Sequence, residues 1–147
     1  MNWEEFLRNC AYFGDGLEHI DIPPPAIIKP VELWTGKQLM SLLLKPNWKS
    51  KIILNIEVKE TNYTSTEEMC VKDKYVWFKN SELVCGNLGK KSLGTKNGLY
   101  YALLWDHSNE ISAECMLWLS KFTSWWITNF GMSIGISDVT PSKVILD

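Results

Sequence analysis

The sequence predicts an α+β domain: a small antiparallel sheet packed with a long C-terminal helix and shorter helices, entered through an extended proline arm. Three observations carry this. Ile52, Leu54, Ile56 and Val58 alternate with Ile53, Asn55 and Glu57 at the period of a half-buried strand. Met116, Leu119, Phe122, Trp126 and Phe130 recur at helical spacing over residues 116–130. Between Pro23 and Pro30 four prolines hold their own φ near −65° and keep the residues before them out of the helical region.

In chain order, Asn2 and Glu5 have the spacing of a capping box. Trp3, Phe6, Leu7, Cys10 and Phe13 then predict an amphipathic helix over 3–13, ended by Gly14, with a turn at Asp15-Gly16. Leu17 to Ile22 leads into the arm, whose apolar part is Ala26-Ile27-Ile28. Thr35 and Gly36 offer an N-cap for a short buried helix from Lys37 to Leu44, and Pro46 stops it. The alternating strand over 52–58 follows, then a polar loop from Thr61 to Glu68. Tyr75 to Phe78 and Glu82 to Leu88 read as strands joined by a turn at Asn80-Ser81, and two or three of these strands pair antiparallel. Leu99 to Asp106 is a short apolar helix or strand, with helix favoured. Ser108 or Asn109 caps a helix over about 110–129, closed by Gly131. Trp118, Phe122 and Trp125 add a second apolar stripe, which predicts burial on more than one side. Met132 to Val139 reads as a final strand, and Pro141 ends the ordered pattern.

Composition narrows the function. The chain has 147 residues, enough for one domain over 1–147, with 46% hydrophobic and 22% charged residues and a net charge of −2. No overall basic field draws nucleic acid to it. The lysines are uneven, however: Lys45, Lys49, Lys51, Lys59, Lys72, Lys74, Lys79, Lys90, Lys91 and Lys96 crowd into and just ahead of the middle third, so a local basic surface is expected. The eight tryptophans suit either an aromatic-rich core or an interface with other chains. Cys10, Cys70, Cys85 and Cys115 form no close pair, and His19 and His107 complete no metal-ligand spacing, so reduced buried thiols and no metal site are expected. No signal peptide is read at Met1, and Asn62 starts a sequon read as chance. The apolar runs fall short of the ~20 residues of a membrane span. Gly86 to Gly98, GNLGKKSLGTKNG, supports tight turns but is not a phosphate-binding P-loop. A free-standing enzyme is disfavoured, since no nucleophile–base pair or metal set is spaced for chemistry.

Three blocks resemble one family. PAIIKP (25–30) followed by LWTGKQ (33–38), NSELVCGNLGKKSLG (80–94) and GMSIGISDVTP (131–141) are similar, in order and spacing, to the largest subunit of eukaryotic and archaeal multisubunit RNA polymerases. The region resembled is the pore domain (domain 3), and the likeness covers roughly residues 5–141. Asp138-Val139-Thr140-Pro141 and Leu44-Lys45-Pro46-Asn47 resemble the RNA polymerase III version. The Lys90-to-Thr95 block looks more like RNA polymerase II, and Gly89 departs from the Asp usual in polymerase III. Polymerase III is favoured, with polymerase II the runner-up.

The resemblance implies part of a DNA-directed RNA polymerase, a nucleotidyltransferase of the nucleus. Its role there is one wall of the pore through which nucleotides enter and the 3′ end of backtracked RNA leaves. The family's catalytic magnesium sits on an Asn-Ala-Asp-Phe-Asp-Gly-Asp loop absent here, so the expectation is a non-catalytic fragment with no cofactor of its own. Magnesium belongs to the complete enzyme. Expected partners are the rest of the largest subunit, other polymerase subunits, RNA and nucleotides, with no membrane. Lys90 and Lys91 match the family's basic pair and are the first candidates for phosphate contact. Lys29, whose direction is fixed between Ile28 and Pro30, and Lys37, which opens a helix where a cation gains nothing from the dipole, are the second. Trp34 is read as a packing anchor. The alternative is a structural docking domain that touches no nucleic acid.

Overall fold

The computed structural model describes residues 1–13, 19–60 and 74–140. The readings at Gly14 to Gly16, at Thr61 to Glu68 and from Pro141 onward lie outside them.

Helix α1 (Trp3–Phe13) starts as the sequence predicts. The Asn2 side chain accepts from the Glu5 amide at 2.8 Å, and the Glu5 carboxylate accepts from the Asn2 amide at 3.0 Å. Helix α2 (Gly36–Leu44) has the same device. The Thr35 hydroxyl accepts from the Gln38 amide at 3.3 Å, and the Gln38 side chain accepts from the Thr35 amide at 3.0 Å. Each box satisfies two N–H groups that a helix start otherwise leaves bare.

Between the helices, residues 23–30 contain no helix. Ile27 and Leu33 exchange two backbone hydrogen bonds, at 2.9 and 3.1 Å, so the chain reverses between them. The Trp34 indole donates to the Pro23 carbonyl at 2.9 Å, and the Gln38 amide to the Pro24 carbonyl at 2.8 Å. Trp34 itself is buried and stacks on Phe6 with ring centroids 5.6 Å apart, the anchoring role read from the sequence.

Helix α2 is apolar nearly all round because it lies between two cores. Leu39 and Leu42 join Phe6, Cys10 and Trp34 on one side. Met40, Leu43 and Leu44 join Leu54, Val76, Phe78, Leu83, Leu99, Leu103 and Cys115 on the other. Trp118 packs against both clusters and links them.

The sheet has three antiparallel strands in the order β1 (Ile56–Lys59), β2 (Tyr75–Lys79), β3 (Glu82–Cys85). Ile56, Val76, Phe78 and Leu83 face the larger core. The β2–β3 turn is Asn80-Ser81, both with positive φ (53° and 67°), as a tight hairpin of right-handed twist requires. Strand β1 is shorter than the alternation suggests. Burial alternates from residue 52, but the ladder begins only at Ile56. Ahead of it the turn takes over the backbone groups. Ser81 Oγ donates to the Ile52 carbonyl at 2.8 Å and accepts from the Leu54 amide at 3.0 Å, and the Ser81 amide donates to the Leu54 carbonyl at 2.9 Å. Period two reports which side is buried, not which atoms pair. Strand β3 likewise stops at Cys85, because the chain turns at Gly86 with φ +88°.

After β3 come α3 (Lys90–Gly94), α4 (Leu99–Asp106) and α5 (Asn109–Phe130). Helix α4 settles the helix-or-strand alternative. Ser108 caps α5 by accepting from the Ile111 amide at 3.3 Å, and Gly131 closes it at φ +80°. Ser112 Oγ donates to the Tyr100 carbonyl at 3.2 Å and fixes the rotation of α5 against α4.

That rotation corrects the predicted stripe. Cys115, not Met116, is buried, and the inner line continues through Trp118, Leu119 and Phe122. Met116, Leu117, Ile127 and Phe130 are exposed, so α5 is not buried on more than one side. The tryptophans divide between the two readings. Trp34 is buried; Trp77, Trp118, Trp125 and Trp126 are half-buried; Trp3, Trp48 and Trp105 are exposed. The predicted final strand is also overturned. Residues 136–139 form a single helical turn, α6 (Ile136–Val139), with the Asp138 carboxylate accepting from the Gly135 amide at 2.7 Å. β-Formers alone do not make a strand where no sheet edge is offered.

Candidate nucleic-acid interface

Lys90 and Lys91 are not on a loop. They open α3, a short helix held on three sides. Gly86 turns the chain out of β3 where any Cβ would overlap the Tyr75 carbonyl. The Ser92 hydroxyl accepts from the Gly89 amide at 2.7 Å and donates to the Gly89 carbonyl at 3.1 Å. The Ser92 amide donates to the Glu60 carboxylate at 2.8 Å, reaching from the end of β1. Ser92 is fully buried as a result, while Lys90 and Lys91 are exposed. Among the described residues neither lysine has a carboxylate within ion-pair distance. Thr95 Oγ1 donates to the Lys91 carbonyl at 2.7 Å and closes the far end.

Lys96, not singled out from the sequence, lies five residues past Lys91 and is exposed. It lines a shallow groove of about 420 Å³ with Asn97, Tyr101 and Trp105, and the carboxylates Glu57 and Asp106 border it. Only its place in the lysine-rich middle third marked it.

The second pair lies on other elements. Lys37, on α2, is half-buried and lines a groove of about 600 Å³ with Lys45, Pro24, Ser41 and the carboxylates Asp21 and Glu82. Lys29 is exposed beside the chain reversal. Lys90 and Lys91 stand together on α3, with Lys96 following them.

Exposed ammonium groups attract phosphate as point charges and read no sequence. The thiols of Cys10 and Cys115 are pushed up to about 11 and about 12 by burial, away from the range in which a cysteine attacks. Cys85 Sγ donates to the Tyr75 carbonyl at 3.6 Å. Among the described residues no group of three His, Cys, Asp or Glu side chains is placed to hold a metal ion. No described helix is long and apolar enough to cross a membrane.

Residues 1–139 match the family described as RNA polymerase Rpb1, domain 3. The whole chain is 47% identical to the DNA-directed RNA polymerase III subunit RPC1 of Plasmodium falciparum, of which it covers 6%. Over 94% of its length it is 46% identical to the corresponding subunit of Dictyostelium discoideum, covering 10%. Over 86% it is 40% identical to that of Homo sapiens, covering 9%. The chain spans a tenth or less of these relatives.

Proposed function

The chain belongs to the RNA polymerase Rpb1 domain 3 family, and on that premise we propose that it is a non-catalytic part of the largest subunit of a nuclear RNA polymerase III. There it forms a wall of the pore that admits nucleotides and receives the 3′ end of backtracked RNA. Nucleotidyl transfer and its magnesium belong to the rest of the enzyme. Lys90 and Lys91 contact the phosphates.

The observation that carries the phosphate contact is the setting of the pair. Two adjacent lysines open a five-residue helix. They are exposed, and among the described residues they are without a carboxylate partner. The helix is anchored through buried Ser92 and presents both ammonium groups to solvent.

The test is the salt dependence of binding to a single-stranded oligouridylate. It is measured on the full-length protein, with the contact mapped by photo-cross-linking. Each phosphate contact adds about 0.7 to the slope of log K against log salt on a single strand. Lys90→Ala/Lys91→Ala is expected to lower the slope by about 1.4 and to remove cross-links to this segment. An unchanged slope and cross-link map would sink the assignment.

A second reading, docking to other subunits, is favoured by one feature. Phe130, Met132, Ile134 and Ile136 present exposed apolar side chains at alternate positions between the end of α5 and the start of α6. The two roles occupy different surfaces and are compatible.

A further inference from the structure

Helix α3 begins without a capping side chain of its own. Its N-cap is Gly89, and a glycine has nothing to offer the N–H groups of the first turn. A capping side chain ordinarily accepts from the amide two or three positions on. Here the amide three positions on, Ser92, donates at 2.8 Å to Glu60, a residue 32 positions away. The reciprocal half of the box is local: Ser92 Oγ accepts from the Gly89 amide at 2.7 Å. The cap is thus assembled from two segments, and its acceptor comes from the end of β1.

The fit at Gly89 shows how close the two segments come. A Cβ built there would lie 2.7 Å from the Glu60 carboxyl carbon and 2.9 Å from the oxygen that accepts from Ser92. The Gly89 backbone is extended (φ −146°, ψ −167°), a conformation open to any residue. A side chain at 89 would therefore be accepted by the backbone but would move the end of the Glu60 side chain off its place against the Ser92 amide.

From this we infer that Glu60 is a positioning residue for Lys90 and Lys91. Its carboxylate supplies the cap that Gly89 lacks and ties the start of α3 to the sheet, which sets where the two ammonium groups stand. The RNA consequence rests on the function proposed above; the capping role does not. Plain electrostatics predicts the opposite effect on RNA. Removing a carboxylate near a phosphate site raises affinity for phosphate if charge is all that it contributes. Removing a positioning group lowers it.

Four variants of the full-length protein decide this, each followed by hydrogen exchange of the α3 peptides and by cross-linking of a single-stranded oligouridylate to the same segment. Glu60→Ala leaves the Ser92 amide uncapped, and α3 is expected to exchange roughly fivefold faster, the usual consequence of losing a cap. Its cross-linking is expected to fall toward that of Lys90→Ala/Lys91→Ala. Glu60→Gln keeps an acceptor oxygen and is expected to stay near the parent in both measurements. Gly89→Asp alone crowds the Glu60 carboxylate and is expected to loosen α3. Glu60→Ala/Gly89→Asp frees the space and restores a local cap, so protection and cross-linking are expected to return.

Wild-type exchange in Glu60→Ala, or no rescue in the double variant, overturns the capping role. Cross-linking that rises in Glu60→Ala shows that charge, not position, is what Glu60 contributes, and overturns the positioning role. If Lys90→Ala/Lys91→Ala does not alter cross-linking, the phosphate assignment itself has failed. The capping role is then judged on exchange and rescue alone.

Discussion

Ser81→Ala should be among the most damaging single-atom deletions in this chain. Ser81 is fully buried and serves three backbone groups of the neighbouring segment. Its hydroxyl donates to the Ile52 carbonyl and accepts from the Leu54 amide, and its own amide donates to the Leu54 carbonyl. Alanine keeps only the last. The Leu54 amide is then a buried donor with no acceptor, which costs roughly 1–3 kcal/mol, and the lost bond to Ile52 adds about 1 kcal/mol. The expected loss is about 2–4 kcal/mol. Ser81→Gly removes the same hydroxyl but relieves the left-handed backbone at φ 67°, a relief of about 1 kcal/mol. Glycine should therefore be less harmful than alanine, the reverse of the order expected for a residue in an ordinary strand. Urea unfolding followed by tryptophan fluorescence gives both numbers, with the slope against urea unchanged if only stability has moved. A loss below about 0.5 kcal/mol for alanine, the range of an ordinary surface change, would refute the reasoning. So would glycine proving worse than alanine.

Two further outcomes follow from the same geometry. Gly86→Ala combines φ +88° with a Cβ overlapping the Tyr75 carbonyl, so it should destabilise by at least about 2 kcal/mol and part β3 from β2; a melting temperature within a degree of the parent would contradict this. Burial raises Cys10 to about 11 and Cys115 to about 12, so at pH 8 about a thousandth or less of either is thiolate. Iodoacetamide labelling mapped by peptide mass spectrometry should therefore reach half-buried Cys85 before either of them, and early modification of Cys10 or Cys115 would show that the native core opens there.

Local chemistry was legible in the sequence, and distant chemistry was not. The starts of α1, α2 and α5 could be read because a cap and its partner sit three residues apart. The hairpin turn could be read because Asn80-Ser81 punctuates two runs of β-formers. The beginning of β1 could not be read, because the competitor for its backbone groups is Ser81, 27 residues beyond Leu54. Helix α3 was missed for the same reason: its acceptor is Glu60, and the glycines on either side suggested turns. The rotation of α5 depended on Ser112 meeting Tyr100, and a stripe of alternating candidates does not say which member turns inward. Of the site, Lys90 and Lys91 were picked out by a family likeness and proved exposed. Lys29 and Lys37 were picked out by position; Lys29 is exposed and Lys37 is half-buried.

The ties along α2 have a mechanical meaning. Near its C-terminal end the Asp21 amide donates to the Pro46 carbonyl at 2.8 Å and the Asn47 side chain to the His19 carbonyl at 3.1 Å. Near its N-terminal end Gln38 holds the Pro24 carbonyl. The segment is thus tied near both ends of α2, so a pull on the prolines loads both ends of the helix together instead of peeling one. Force arriving there would be borne as shear across several hydrogen bonds at once, the geometry in which short bonds yield last.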